Sequence, residues 1–135
     1  MKPSIPTVLF LILAAASAVA YASAPRDFLA TFEASARATE PGFTANAARG
    51  AAFFTSRHGS EWSCASCHTA SPAAQGRHAA TGKVIQALAP SANAARLTDP
   101  AKVDKWFRRN CGDVLGRLCT PKEKADVVAW LLTIR

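Results

Sequence analysis

The sequence predicts a single domain of the all-α class. Its 135 residues suit one domain. No stretch shows a persuasive alternation of apolar and polar residues, so few or no strands are expected. Four segments instead carry apolar residues at helical spacing, with Pro and Gly between them. No internal repeat accompanies this pattern, so the helices are expected to pack around one core.

The N-terminus has the features of a secretory signal peptide. A positive charge precedes an uncharged, largely apolar run at 7–20, and small residues follow. Cleavage is expected after Ala20 or Ala22. An uncleaved membrane anchor is the alternative, but the run is shorter than the about 20 apolar residues that a spanning helix needs. We therefore predict a signal peptide over residues 1–22, a mature domain over residues 23–135 and a periplasmic location.

The charge balance is strongly basic. Sixteen Lys and Arg residues face nine Asp and Glu residues, which gives a formal net charge of +7 and a pI of about 9.8. An exported protein with this charge can meet an acidic protein or an anionic membrane surface. Because nucleic acid is not expected outside the cytoplasm, we predict no nucleic-acid partner.

Two of the predicted helices lie in the first part of the mature chain. The first runs over about residues 27–39 and ends before Pro41 and Gly42. The second runs over about residues 45–57, and Thr44 is its expected N-cap because threonine hydroxyls accept hydrogen bonds from the first turn.

The stretch EWSCASCHTA predicts the chemistry. Cys64, Cys67 and His68 have the C-x-x-C-H spacing that marks attachment of haem c. The two cysteines would form thioethers with the haem, and the adjacent histidine would be the proximal iron ligand. A redox dithiol would need a βαβ context, and a zinc site would need a second ligand pair at similar spacing. Neither is present, so we predict one covalently bound haem c.

A long segment of residues 69–97 follows this motif. Only residues 83–89, with the sequence KVIQALA, are expected to form a short helix. An irregular stretch of this length is unusual in a compact domain. A large flat cofactor removes the difficulty, because it gives the segment a surface to pack on.

The last two helices have clear start signals. In TDPAKVDKWFRRN, Thr98 or Asp99 is the expected N-cap, and Pro100 suits the first turn. In TPKEKADVVAWL, Thr120 and Glu123 form a capping box. Both helices are therefore predicted from their caps as well as from their apolar faces.

The second axial position of the iron has no obvious occupant. The one methionine is Met1, which cleavage of the signal peptide removes, so a His/Met pair is excluded. Asn110 lies on the apolar face of the third predicted helix, but asparagine is also a frequent residue at helix C-termini. His78, His58, Lys83 or an empty position are the alternatives.

Two further cysteines remain, Cys111 and Cys119. An even pair in an oxidising compartment is expected to form a disulfide. Free thiols or metal ligands are the alternatives.

The chain resembles the class I cytochromes c. A helix with Gly50 and Phe54 precedes the C-x-x-C-H motif, and a final helix carries Trp130, as in that family. Over about residues 42–135 it is similar to the SHP-type cytochromes c, which are small periplasmic monohaem proteins. The segments that carry this resemblance are TGKVI, APSAN, WFRRNC followed by a second cysteine, and TPKEKADVVAWL.

The resemblance implies several features of the site. The fold would be class I cytochrome c-like around one haem, with the helix at 27–39 as an additional N-terminal element. The distal iron ligand would be Asn110, and Cys111 and Cys119 would form the disulfide. The implied redox partners are a dihaem cytochrome c and a membrane b-type cytochrome, and we expect a monomer.

These features favour an electron carrier. An amide oxygen is a hard neutral donor that suits ferric iron better than ferrous iron. We therefore expect the asparagine to leave on reduction and to open the iron to O2, NO or CO. The basic outer face of the third helix would dock an acidic partner, although a solvated helix face would look the same. This face consists of Lys102, Lys105, Arg108 and Arg109.

Gas binding or sensing, and turnover of NO or peroxide, are the alternative functions. Turnover would need an acid–base group near the iron, and Arg77 and His78 are the candidates. The sequence thus favours a carrier or ligand-binding haem protein over an enzyme.

Overall fold

The computed structural model describes residues 23–59 and 61–135. The predicted signal peptide and its cleavage position lie outside these residues. The described part is mainly helical, which confirms the predicted all-α class. In chain order its elements are α1 (Pro25–Arg37), α2 (Ala47–Thr55), α3 (Cys64–His68), β1 (Gly76–Arg77), β2 (Val84–Ile85), α4 (Pro100–Leu115) and α5 (Pro121–Leu131). Among these residues, no helix is long and apolar enough to cross a membrane.

Helix α5 is the centre of the packing, because both α1 and α2 lie against it. The crossing of α2 and α5 is close at Gly50, where a Cβ atom would lie 2.0 Å from the backbone oxygen of Asp126. One turn later, the ring of Phe54 packs on Trp130, with ring centroids 4.9 Å apart. Gly50 and Phe54 thus pack against the final helix as the sequence predicts.

Helix α1 covers the other side of α5. It buries Ala36 together with Phe43 and Ala125. Its Phe32 ring also meets Phe107 of α4 edge-on, with centroids 5.5 Å apart and planes at 83°. The additional N-terminal helix therefore supports α4 as well as the core.

The cap signals are confirmed for the last two helices and wrong for α2. Asp99 caps α4 by accepting a hydrogen bond from the backbone N–H of Lys102 at 3.1 Å. The capping box at the start of α5 is present. In α2 the N-cap is Asn46 instead of Thr44, because the helix starts at residue 47 and the Asn46 side chain accepts a hydrogen bond from the backbone N–H of Arg49.

The end of α4 differs from the simplest reading of the sequence. The helix continues through Asn110 to Leu115 and ends at Gly116, whose φ of 66° is left-handed. Glycine adopts this conformation without steric cost, so it terminates the helix. Asn110 is therefore a residue of the helix interior, and the alternative that it caps the C-terminus of the helix is wrong.

The segment between α3 and α4 contains a small hairpin. The predicted short helix at 83–89 is wrong, because β2 pairs antiparallel with β1 and Gly76 faces Ile85. β-branched residues suit extended pairing better than a short isolated helix. A Cβ atom on Gly76 would lie 2.0 Å from the carbonyl oxygen of Cys67, so the hairpin rests directly on α3.

Candidate haem-binding site

The C-x-x-C-H motif forms the single-turn helix α3. The backbone N–H of Ser63 donates to the hydroxyl of Ser66 at 2.9 Å, which fixes the first turn. Cys64 and His68 are four residues apart and therefore share one face of this turn. Cys67 accepts a hydrogen bond at its Sγ from the backbone N–H of Ala79, at 3.3 Å, so the hairpin segment covers it.

Two adjoining cavities lie against this face. The first has a volume of about 140 Å³ and the second about 490 Å³. Their combined size is in the range of small-molecule and cofactor pockets. Cys64, His68 and Asn110 line both cavities, and Cys67 lines the second. The apolar part of the first wall includes Phe53, Phe54, Leu88, Val103, Phe107, Val114, Val127 and Leu131.

The environment of His68 suits a metal ligand. Burial, together with the nearby charge of Arg96, lowers the pKa of His68 from 6.5 to about 4. The imidazole is therefore neutral at physiological pH, which is the form that binds metal ions. The ring of Phe54 lies 6.1 Å from the imidazole, measured between centroids. Among the described residues, no side chain or backbone group is hydrogen-bonded to this ring, so a ring nitrogen remains available to the cavity.

The two motif cysteines are free thiols in the structure. Burial raises the pKa of Cys64 to about 11. A thiol with so high a pKa is a poor nucleophile and does not suit a redox dithiol. In the described part of the chain, no group of three or more His, Cys, Asp or Glu side chains could hold a metal ion, so the zinc alternative has no support. Two thiols, a neutral imidazole and a largely apolar cavity fit haem c.

Asn110 lies inside α4, one turn after Trp106 and next to Cys111. The structure places it on the wall of both cavities, as it does His68. Its amide makes no hydrogen bond within residues 23–59 and 61–135. The site thus brings together an imidazole and an unengaged amide.

The other candidate ligands are placed less favourably. His58 stacks on Phe53, with centroids 4.4 Å apart, and its Nε2 lies 2.7 Å from the Phe53 carbonyl oxygen. It lines neither cavity. His78 lines the second cavity, but its Nδ1 accepts a hydrogen bond from the backbone N–H of Thr81 at 3.2 Å. Lys83 is an exposed residue of the same hairpin region.

The predicted disulfide is present between Cys111 and Cys119, with Cα atoms 5.5 Å apart. It joins a residue inside α4 to the short segment that leads into α5. Both cysteines line the first cavity. The disulfide therefore fixes the helix that carries Asn110 directly beside that residue.

The four cations of the proposed basic face of α4 differ in whether they form an ion pair. Lys102 pairs with Asp99 at 3.4 Å, and Arg108 pairs with Asp104. The remaining two, Lys105 and Arg109, lie over the ring of Trp106 at 5.5 and 5.2 Å from its centroid. Trp106 is 44% exposed and lines both cavities, so these two cations lie at the edge of the site.

Sequence reasoning missed Arg96, which lines both cavities. It lies in the irregular segment before α4, where no periodic pattern identifies an inward-facing residue. The candidate acid–base pair of Arg77 and His78 is not assembled at the cavities. Arg77 is exposed, donates to the Gly82 carbonyl at 2.8 Å, and lines neither of them.

Comparisons with known proteins agree with this geometry. Residues 40–131 match a family described as a domain of unknown function, DUF1924. The chain is 45% identical over 129 residues to the cytochrome c-type protein SHP of Cereibacter sphaeroides, and the alignment covers 90% of this chain and 95% of that protein.

Two solved structures are similar in fold. The structure of oxidized SHP, an oxygen binding cytochrome c, gives a TM-score of 0.73 at 44% identity and covers 83% of this chain and 98% of that chain. The solution structure of cytochrome c'' from Methylophilus methylotrophus, which addresses haem-ligand detachment, gives a TM-score of 0.71 at 37% identity. It covers 81% of this chain and 92% of that chain.

Proposed function

Because the chain belongs to the family of SHP-type cytochromes c, we propose that it is a periplasmic electron carrier in which Asn110 controls access of diatomic gases to the haem iron. Family membership establishes the class I cytochrome c-like fold and one covalently bound haem c. The haem supplies an iron centre that changes oxidation state and has two axial positions. Cys64 and Cys67 would anchor the haem, and His68 would hold the proximal position.

The observation that carries this proposal is the position of Asn110. It shares both cavities with His68, and its amide has no partner among the described residues. The chain offers no methionine except Met1. His58 lies outside the cavities, and His78 and Lys83 line only the second one. Because Asn110 lines both, it is the best-placed group for the distal position.

The chemistry of an amide supports release on reduction. Its oxygen is a hard donor without charge, and such donors suit the higher oxidation state of iron. Asn110 would therefore hold the distal position in the oxidised protein and withdraw in the reduced protein. Two relatives support this proposal, since SHP is an oxygen binding cytochrome c and the structure of cytochrome c'' addresses haem-ligand detachment.

The disulfide limits how far Asn110 can move. Cys111 follows Asn110 directly and is joined to Cys119 before α5. The end of α4 is therefore tied to α5, which is in turn packed against α1 and α2. A local displacement of the side chain would open the distal position without unfolding the helix.

Electron transfer requires a docking surface near the haem. Lys105 and Arg109 flank the half-exposed Trp106 at the cavity edge and form no ion pair among the described residues. Lys102 and Arg108, by contrast, are neutralised by neighbouring carboxylates. We therefore propose that the docking surface for an acidic partner consists of Lys105, Trp106 and Arg109. By analogy with the family, the partners would be a dihaem cytochrome c and a membrane b-type cytochrome.

Enzymatic turnover has less support than electron transfer. A reaction of NO or peroxide would need an acid–base group facing the distal ligand. Arg77 is outside both cavities, and the Nδ1 of His78 is engaged by Thr81. Gas binding by the reduced protein is therefore proposed as a property of a carrier.

The test compares Asn110→Ala with Asn93→Ala. Asn93 donates to the Ala87 carbonyl at 3.3 Å and lines neither cavity. We expect Asn110→Ala to lose the sixth ligand in the ferric absorption spectrum, whereas Asn93→Ala keeps the parent spectrum. The reduced parent protein should be high-spin and should bind CO fully. An unchanged ferric spectrum in Asn110→Ala would refute the ligand assignment, and a low-spin reduced protein indifferent to CO would refute release.

A further inference from the structure

Arg96 is held at the cavity wall by the backbone of its own loop. Its Nε donates to the carbonyl of Ala87 at 2.9 Å, and its Nη2 donates to the carbonyl of Gln86 at 2.7 Å. The guanidinium therefore has a fixed position, although the residue lies outside any helix or strand. These two bonds connect the two ends of the loop that runs from β2 to α4.

The charge of Arg96 is not balanced by the protein. In the part of the chain that the structure describes, no carboxylate forms an ion pair with it. The side chain is partly buried, and this burial lowers its pKa. A desolvated cation without a counter-charge is unfavourable. We consequently expect an anion to bind beside the Arg96 guanidinium.

The cavities indicate which anion this is. Arg96 lines both of them together with Cys64 and His68. Haem c carries two carboxylates that neither the thioethers nor the proximal histidine would hold. Two of the five N–H donors of the guanidinium are used by carbonyl groups, and three remain. A planar forked donor of this kind matches a carboxylate.

We propose that Arg96 binds one of the haem carboxylates and so positions that edge of the haem against the 86–97 loop. The proposal rests on haem occupancy of the site, which the proposed function shares, but it does not depend on release of Asn110. Arg96 would act as a positioning residue, and it would also favour the ionised form of the carboxylate.

Other cations near the second cavity are less suited to this role. Lys83 and Arg109 both line that cavity, but both are exposed. Arg109 lies over the Trp106 ring instead of being tied to a carbonyl. Arg96 combines burial, fixed geometry and unused donors, and this combination distinguishes it from its neighbours.

The experiment uses the holoprotein with three substitutions. Arg96→Gln removes the charge and the fork, whereas Arg96→Lys keeps the charge. Arg77→Gln is the matched control, because Arg77 also donates to a loop carbonyl but lines neither cavity. The readouts are the carboxylate bending band of the haem in resonance Raman spectra and the dependence of the midpoint potential on pH.

We expect Arg96→Gln to move the Raman band. In the same variant, the pH at which the potential becomes pH-dependent should rise by about one to three units, because a cation lowers the pKa of a neighbouring carboxylate by that amount. Arg96→Lys should show a clearly smaller shift in both readouts, and Arg77→Gln should match the parent.

Two results would overturn the proposal. One is a parent-like Raman band and pH profile in Arg96→Gln, which would leave only a structural role in the loop. The other is an equal shift in Arg96→Lys and Arg96→Gln, which would trace the effect to the lost carbonyl bonds instead of the charge. CO binding by the reduced variants tests the release of Asn110 separately. A failure of the proposed ligand release would therefore be recognised independently of the role of Arg96.

Discussion

The backbone of Gly50 in α2 lies directly against the backbone of Asp126 in α5. A Cβ atom at residue 50 would come within 2.0 Å of the Asp126 carbonyl oxygen and 2.5 Å of its carbonyl carbon. No side chain fits at these distances, so glycine determines how closely the two helices cross. The same crossing places Phe54 against Trp130 and His68, which links it to the haem site.

We predict that Gly50→Ala lowers the free energy of unfolding by about 2–3 kcal/mol, because backbone atoms of α5 must shift to make room. Gly112→Ala is the matched control. Its Cβ would meet no atom within 4 Å in the interior of α4, so alanine should stabilise that helix by about 0.5–1 kcal/mol. Urea unfolding of the two holoproteins measures both values. Similar effects of the two substitutions would contradict the close crossing.

Removal of the Cys111–Cys119 disulfide should weaken the fold without affecting haem attachment. The cysteines are separated by 8 positions, and a loop of this size gives about 2.5 kcal/mol in the chain-entropy treatment. We expect the double serine variant to lose about this amount in urea unfolding. Haem staining on a denaturing gel should be equal to that of the parent. Loss of staining would show that these cysteines have a role in haem attachment.

Replacement of the motif cysteines, in contrast, should impair covalent attachment of the haem. Cys64→Ser should leave the haem attached through Cys67 alone, and the pyridine haemochrome band should move toward that of a haem with one free vinyl group. The variant with both Cys64→Ser and Cys67→Ser should show no covalent haem on a denaturing gel. Persistent staining of that double variant would disprove the thioether assignment.

Asp126 should tolerate substitution poorly. Its carboxylate accepts hydrogen bonds from the Asn46 backbone N–H at 2.7 Å and from Arg49 at 2.8 and 2.9 Å, and its side chain is only 10% exposed. Asp126→Asn should therefore cost about 1.5–3 kcal/mol, the range for bonds to charged groups. Asp104→Asn breaks the exposed pair with Arg108 and should cost about 0.5 kcal/mol or less. Equal costs by urea unfolding would contradict the distinction.

Glu123 should contribute to acid sensitivity. The Arg117 guanidinium holds the pKa of this carboxyl below its ordinary value of 4.5, and the Thr120 backbone N–H adds to the effect. A lowered folded-state pKa means that the stabilisation is complete above pH 4.5 and is lost as the pH falls through the folded value. Unfolding midpoints below pH 4.5 should thus fall less steeply in Glu123→Gln than in the parent. Arg117→Ala should flatten the profile similarly, and parallel profiles in all three proteins would refute this.

Local signals in the sequence predict most of the helical framework. Asp99, Thr120 and Glu123 identify the starts of α4 and α5, because capping depends on neighbours along the chain. The prediction at residues 83–89 is wrong because pairing with β1 is a tertiary interaction. Local periodicity cannot reveal a partner strand that lies several residues away.

The residues of the candidate site likewise include some with a local signal in the sequence and some without one. The motif spacing predicts Cys64, Cys67 and His68 as the haem-binding residues, whereas periodicity alone leaves Asn110 open between a cap and a cavity residue. The structure removes the capping alternative, since Gly116 ends the helix. Arg96 has no signal in the sequence because carbonyl groups of residues 86 and 87, about ten positions earlier, fix its place.

The interior position of Asn110 in α4 has a kinetic consequence. A ligand on a flexible loop waits for loop motion, which takes nanoseconds to microseconds. As the proposed ligand, Asn110 lies in a helix that the disulfide of Cys111 holds in place. It would depart by rotation of its own side chain, which takes picoseconds to nanoseconds once its bond to iron has broken. Opening of the distal position would then follow reduction without a delay from loop motion, and breaking of the iron–amide bond would set its rate.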